Sequence, residues 1–151
     1  MIRLIKISAF AQYGIGDYER LMSQIPLFPM RGSVLAEYIK KMIQNGVVYA
    51  LDDESVLEGL IGFYANDKMS HAAYLSAFVV DESLRGKGFG KILFGRMLEI
   101  CEASGMVSIA ANVLCSNERA VQFYRRQGFA IVGKGQDDNH ILIRKDGVRI
   151  V

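Results

Sequence analysis

The sequence predicts a mixed α/β domain in which helices flank a central mixed sheet. Three observations carry that prediction. Hydrophobic periodicity switches between about two and about 3.6 residues along the chain, as strands and amphipathic helices require. The resulting order is strand, two helices, three strands, helix, strand, helix and two strands, with no repeats or low-complexity linkers. The 151 residues are 51% hydrophobic and 23% charged, which suits one domain over 1–151 with a sizeable core and not a disordered chain.

"IRLIKIS" alternates like a first strand. The surrounding "MIRLIKISAFAQYG" carries charges and no clear cleavage site, so it reads as a strand and not a signal peptide. Residues 16–24 and "GSVLAEYIKKMIQNG" read as helices. In the second, Ser33 is expected to cap, Leu35, Tyr38, Ile39 and Met42 form the apolar stripe, and Gly46 ends it. "VVYALDD" and "LEGLIGFYAND" are strands around a "DDES" turn. "AAYLSAFVV" is a nearly continuous apolar strand, expected to be buried on both faces. The next helix places Phe89, Ile92, Leu93, Met97, Ile100 and Cys101 on one face. "MVSIAANVL" is another buried strand. Ser116 or Asn117 opens the following helix and Gly128 closes it. "FAIVGKG" and "HILIRK" form an antiparallel pair around "QDDN".

Bulk properties exclude several functions. No apolar run approaches the ~18–20 residues that span a bilayer, and the absence of targeting segments suggests a cytoplasmic protein with no membrane partner. A formal charge of +2 and scattered cations such as Arg125 and Arg126 give no nucleic-acid footprint. Cys101 and Cys115 make no disulfide framework and read as inert thiols, and no CxxC or HxxxH spacing offers a metal site.

The most informative stretch is "SLRGKGFGKILFGRM", residues 83–97. It sets Gly86, Gly88 and Gly90 among Arg85, Lys87 and Lys91 at the start of a helix. A nucleoside-triphosphate loop needs GxxxxGK and then Ser or Thr; here three residues separate Gly86 from Gly90, and Ile92 follows Lys91. A dinucleotide GxGxxG also fails, with Lys91 or Leu93 at the third glycine position. What remains is an anion site at a helix mouth. The first N–H groups of a helix lack internal partners, and glycines let an anion approach them. Each glycine weakens a helix start by ~1 kcal/mol, a cost that makes sense if a ligand uses the opening.

"VVDESLRGKGFGKILFGRML" resembles the signature of the GNAT superfamily of acyl-CoA N-acyltransferases. Arg85, Gly88 and Gly90 fill its fixed positions. The second motif of that family matches in "NERAVQFYRRQGF", at Asn117, Ala120, Phe123, Tyr124, Gly128 and Phe129. The two motifs span roughly residues 75–130 in the family's order; the N-terminal half fits its element order without a specific motif. The resemblance implies a GNAT-like fold and acetyl-CoA as co-substrate. It implies that backbone N–H groups across Arg85, Gly86, Lys87, Gly88, Phe89, Gly90 and Lys91 hold the pyrophosphate of coenzyme A. Phe78, Val79 and Val80 would pair with the pantetheine arm, with an N–H near Phe78 polarising the thioester carbonyl. Asn117 would cap its helix and touch the same arm. Tyr124 would donate a proton to the departing thiolate.

The base is open in the sequence. Only about one part in a thousand of an amine of pKa ~10.4 is neutral near pH 7.4. Many relatives carry Glu five residues before the motif asparagine, and here that position is Asn112, which is not a base. His71 and Tyr74 are the candidates, His71 also reading as a surface turn residue. The linker "IPLFPMRGS" either lines the acceptor site or packs on the core, and Arg31 either pairs with an acceptor carboxylate or is solvated. The expected activity is transfer of acetyl from acetyl-CoA to a primary amine, with a small-molecule acceptor favoured. The alternatives are a non-catalytic acyl-CoA-binding or sensor module and a protein N-terminal or lysine acetyltransferase. Oligomeric state is open, homodimers being common among relatives.

Overall fold

The computed structural model describes residues 1–149. Seven strands are β1 (Ile2–Lys6), β2 (Val47–Asp53), β3 (Val56–Tyr64), β4 (Ala72–Val80), β5 (Ser108–Leu114), β6 (Phe129–Lys134) and β7 (His140–Asp146). Four helices are α1 (Ile15–Met22), α2 (Gly32–Asn45), α3 (Phe89–Ala103) and α4 (Glu118–Arg126), in the order the periodicity predicts. The sheet order is β1-β2-β3-β4-β5-β7-β6. Neighbours are antiparallel except β4 and β5, which the α3 crossover makes parallel. Among the described residues no helix is long and apolar enough to cross a membrane.

The sheet separates two apolar clusters. One gathers Tyr18, Leu21, Leu35, Ile39 and Met42 of α1 and α2 against β2, β3 and part of β4. The other gathers Leu93, Phe94, Met97, Leu98 and Cys101 of α3, with Tyr124 of α4, on the opposite face. Full burial of each large side chain contributes about 1.5–3 kcal/mol, so both helical layers are fixed to the sheet chiefly by these stripes.

Strand β4 departs from the continuous double burial that its spelling suggests. Its residues alternate between buried and half-buried, and a bulge changes the phase. Gly62 pairs with Ala77 and Phe63 with Leu75, which leaves Ser76 as the extra residue. Ala73 and Leu75 therefore join the α3-side cluster, while Ala77 and Val79 join the α1/α2 side. One extra residue flips every later side chain to the other face.

Two helix details also differ from the sequence reading. Ser33 does not cap α2: Arg31 holds the N-cap position, and the Gly32 N–H donates to Glu19 Oε2 at 3.0 Å, so α1 caps its neighbour. In α3, Ile92 is 47% exposed, and Phe94 and Leu98 complete the buried stripe. Phe94 sets that rotation by packing between Phe78, Phe123 and Phe129, ring centroids 5.8–6.3 Å away.

Candidate active site

The last paired residues of β4 and β5 are Leu75 and Ala111. Beyond them the strands share no register, although β4 runs on to Val80 and β5 to Leu114. The separation follows directly on the Ser76 bulge, which bends β4 away. A cleft of about 930 Å³ opens there, lined by Phe78, Val79 and Val80, the glycine loop, and Asn117, Phe123 and Tyr124 of the α4 segment. An extended ligand can use the unpaired main chain of β4 as a strand partner.

The glycine loop forms one end. Gly86 and Gly88 have φ of 76° and 87°, and Gly88 is the N-cap of α3. Left-handed backbone of this kind favours glycine. A Cβ on Gly90 would instead project over Phe78, Phe123 and Val80, at 3.6–3.9 Å, into the cleft. Among the described residues no protein acceptor takes the N–H groups from Gly86 to Lys91. Arg85 Nε donates to the Val80 carbonyl at 3.1 Å and ties the loop to the end of β4. Lys91, Arg119 and Arg126 add positive charge, and among the described residues no carboxylate lines the cleft. The fit to a pyrophosphate is direct: unpaired N–H donors, a dipole end, cations and room where side chains would stand.

Tyr124 stands between the loop and the opening. It is 8% exposed and packs against Phe78, Phe123 and Phe129. Burial, with a smaller contribution from nearby Tyr74, pushes its pKa well above the ordinary phenol value. The hydroxyl therefore keeps its proton and is available as a donor. Asn117 caps α4, its Oδ1 accepting from the Ala120 N–H at 3.3 Å. The Cys101 thiol is pushed up to about 12 by burial and is no nucleophile.

The opposite side of the opening carries neutral polar groups on α2, β4 and β5. Tyr38 reaches from α2 to the bulge, its hydroxyl 2.9 Å from the Ser76 carbonyl and 2.7 Å from Ser76 Oγ. Asn112 Nδ2 donates to the Tyr74 hydroxyl at 3.0 Å, while Asn112 Oδ1 accepts from the Gln136 N–H at 2.7 Å. Asn112 thus ties β5 to β4 and to the β6–β7 turn. The asparagine therefore meets one partner as donor and the other as acceptor, and has no basic atom to offer an ammonium.

Phe78, Val79, Val80, Arg85, Gly86, Gly88, Gly90, Lys91, Asn117 and Tyr124 are brought together on one cleft. Lys87 is exposed at the loop tip, and Phe89 packs against the α3-side core; neither lines the cleft. His71 stands apart in the turn that enters β4, with φ of 54°, bonded to Asp67 and Val107 through its main chain. That is the end of β4 away from the opening. Arg119 and Arg126 escaped the sequence reading as cleft residues; their seven-residue spacing on one helix was the available signal. The α1–α2 linker packs on the core and also reaches the cleft. Ile25 and Pro26 line the cleft, while Phe28 and Met30 pack on the core and, with Arg31, border a second hollow of about 520 Å³.

Asp81 fixes α1 beside the cleft. It accepts from Arg20, Gln24 and the Ser83 N–H and hydroxyl at 2.6–3.0 Å. The Ser83 hydroxyl first, then Gln24, hold its carboxyl well below the usual range against desolvation. The folded state favours the ionised form, so this stabilisation is complete above the unfolded value near 3.8 and fades as pH falls below it. Asp81→Asn should cost about 1–3 kcal/mol at pH 7. In urea titrations the gap between the two proteins should shrink at pH 3; a constant gap would refute the ionic role.

Residues 19–129 match the Acetyltransferase (GNAT) family. The chain belongs to that family. Two curated relatives are the Peptidyl-lysine N-acetyltransferases YjaB of Salmonella typhimurium and Escherichia coli. They are 33% and 30% identical over 66 residues, 44% of this chain and 42% of each relative, so the similarity spans less than half of their length. Among solved structures, a GNAT-family acetyltransferase from Staphylococcus aureus Mu50 superposes with a TM-score of 0.79 at 16% identity, over 97% of this chain and 99% of that one. The PaiA N-acetyltransferase of Thermoplasma acidophilum, solved in complex with coenzyme A, gives 0.68 at 14% identity over the same shares. These likenesses show that the sheet and helices form the GNAT acetyltransferase fold.

Proposed function

We propose that the chain transfers an acetyl group from acetyl-CoA directly to a primary amine, with a small-molecule amine as acceptor. The observation that carries this reading is the joint placement of Tyr124 and the open N–H groups of Gly86–Lys91 on one cleft beside the unpaired end of β4. Acetyl-CoA supplies the acyl group as a thioester. The glycine-loop N–H groups, with Arg85 and Lys91, hold the pyrophosphate, and Asn117 meets the pantetheine arm. Main-chain N–H near Phe78 stabilises the oxygen charge that develops as the amine attacks. Tyr124 donates to the sulfur as it departs. The high phenol pKa makes this first a hydrogen bond to the thiolate, since full proton transfer is uphill until the phenol can be reprotonated.

The second hollow beside the α1–α2 linker is of small-molecule size and shares Ile25 with the cleft, which favours a small acceptor. The similarity to peptidyl-lysine acetyltransferases favours a second reading, a lysine side chain. A competition separates them: a short diamine and a peptide with lysine as its sole amine, at equal concentration with acetyl-CoA, products read by mass spectrometry. The diamine should be acetylated faster; faster acetylation of the peptide replaces the first reading with the second. A single catalytic domain over residues 1–151 and a cytoplasmic location belong to the same proposal.

A further inference from the structure

Asn112 leaves the reaction without the carboxylate base its position could have held, and His71 lies at the far end of β4. The β6–β7 turn offers another group. His140 Nδ1 lies 2.6 Å from Asp137 Oδ1. A carboxylate only accepts, so the ring donates from Nδ1–H and leaves Nε2 with a free lone pair. His140 is held below Asp137 by the turn itself: its N–H donates to the Asp137 carbonyl at 3.2 Å, and the Asn139 N–H donates to Asp137 Oδ1 at 2.9 Å.

The sheet register puts this pair on the acceptor side. Ile109, Ala111 and Val113 of β5 and Ile143 of β7 belong to the α3-side core. By strand alternation Asn112 and Leu114 face the other way, and so does His140, which pairs with Leu114. Neither β5 nor β7 contributes to the cluster beneath α1 and α2, so no helical layer is packed over that face. The turn is also pinned there. The Gln136 N–H bonds Asn112 Oδ1 at 2.7 Å, the Cys115 N–H bonds the Asn139 carbonyl at 2.8 Å, and the Gly135 N–H bonds the His140 carbonyl at 2.9 Å. A Cβ on Gly135 would lie 2.7 Å from both Asn112 Oδ1 and His140 Cβ, which sets those two atoms close to one another. His140 is therefore a neighbour of Asn112, the residue just past the last β4–β5 pair.

We propose that the Asp137–His140 pair is the base that takes the proton of the acceptor ammonium, directly or through one water. This rests on the acetyl-transfer reading. His140 Nε2 receives one ammonium proton; the freed amine nitrogen forms the C–N bond and the C–S bond breaks. The sulfur leaves as thiolate, hydrogen-bonded by Tyr124, which then gives it a proton and regains one from the second nitrogen-bound proton of the product. Asp137 orients the ring and balances the imidazolium. The other titratable groups around His140 are Asp138 of the turn, Arg144 on the same face of β7, Cys115 after β5 and Tyr74 across β5, while Lys134 of β6 pairs with Ile141 and faces the other side.

The test measures thiol release from acetyl-CoA between pH 6 and 10 with a diamine, a lysine-only peptide and a peptide carrying only an α-amine. Wild type, His140→Gln and Asp137→Asn are compared, with coenzyme A affinity by calorimetry as the check on folding. In wild type kcat/KM should level off by pH 9. In His140→Gln it should be about 100-fold lower near neutrality and, with the diamine and the lysine peptide, climb about tenfold per pH unit toward the amine pKa of ~10.4, with coenzyme A affinity unchanged. Asp137→Asn, at a solvent-facing position, should fall between the two, and imidazole should restore part of the activity of His140→Ala. A wild-type-shaped profile in His140→Gln, within threefold of wild type, overturns the pair as base and leaves the transfer reading standing. Wild type that releases no thiol with any of the three amines overturns the transfer reading and the base with it.

Discussion

Tyr124→Phe should lower the rate of acetyl transfer about 100-fold and leave coenzyme A affinity within about twofold. The range expected for losing a positioned proton donor is 10²–10⁴ in rate. Its hydroxyl is held by packing, not by hydrogen bonds, and the ring contacts with Phe78, Phe123 and Phe129 survive the change. The folded protein and the cofactor surface should therefore be intact, and the loss should fall on kcat. Thiol release at saturating amine gives kcat, and calorimetry gives the coenzyme A Kd. Equal losses in both would mean that Tyr124 supports binding and not the departing sulfur.

Gly88→Val should raise the coenzyme A Kd about 100-fold. At φ of 87° a β-branched residue is strained, so the N-cap of α3 must shift to receive it. A shift there re-aims the N–H groups proposed to hold the pyrophosphate, and each charge-assisted bond lost costs about 1.5–3 kcal/mol. Nothing lies within 4 Å of the added Cβ, so core packing should stay intact and any fall in melting temperature should come from backbone strain at the N-cap alone. A Gly95→Ala control in the middle of α3 should bind coenzyme A normally. An unchanged Kd in Gly88→Val would remove the loop from the donor site.

Most of the fold was legible because burial imposes periods on sequence. β1, α2 and β3 read directly from alternation or from an i, i+3, i+4 stripe. The parts that did not read this way depend on contacts between distant residues. The α2 cap comes from Glu19, thirteen residues upstream of Gly32, and nothing in the local spelling around Ser33 marks it. The Ser76 bulge leaves no mark in "AAYLSAFVV"; it exists only as a register between β3 and β4, and it opens the cleft.

The glycine-loop side of the cleft was legible for a different reason. Glycines at a helix start have a cost and need a use, and the motif residues from Arg85 to Lys91 lie next to one another in the chain. The proposed acceptor half is assembled from separate elements. Asn112, Tyr74 and Gln136 meet across β5, and the Asp137–His140 pair has the spelling of an ordinary turn until the β5–β7 register sets it beside Asn112. His71 directly precedes β4 in the sequence, yet the direction of that strand carries it away from the opening.

Amine-dependent release of coenzyme A thiol tests the central claim most directly. Purified protein is mixed with acetyl-CoA, with and without each of the three amines, and free thiol is followed over time. Release that requires both protein and an amine, with an equal amount of acetylated amine formed, is the predicted result. Saturable coenzyme A binding in calorimetry with no amine-dependent release would contradict it, and would make the cleft of Tyr124 and the glycine loop a binding site without catalysis.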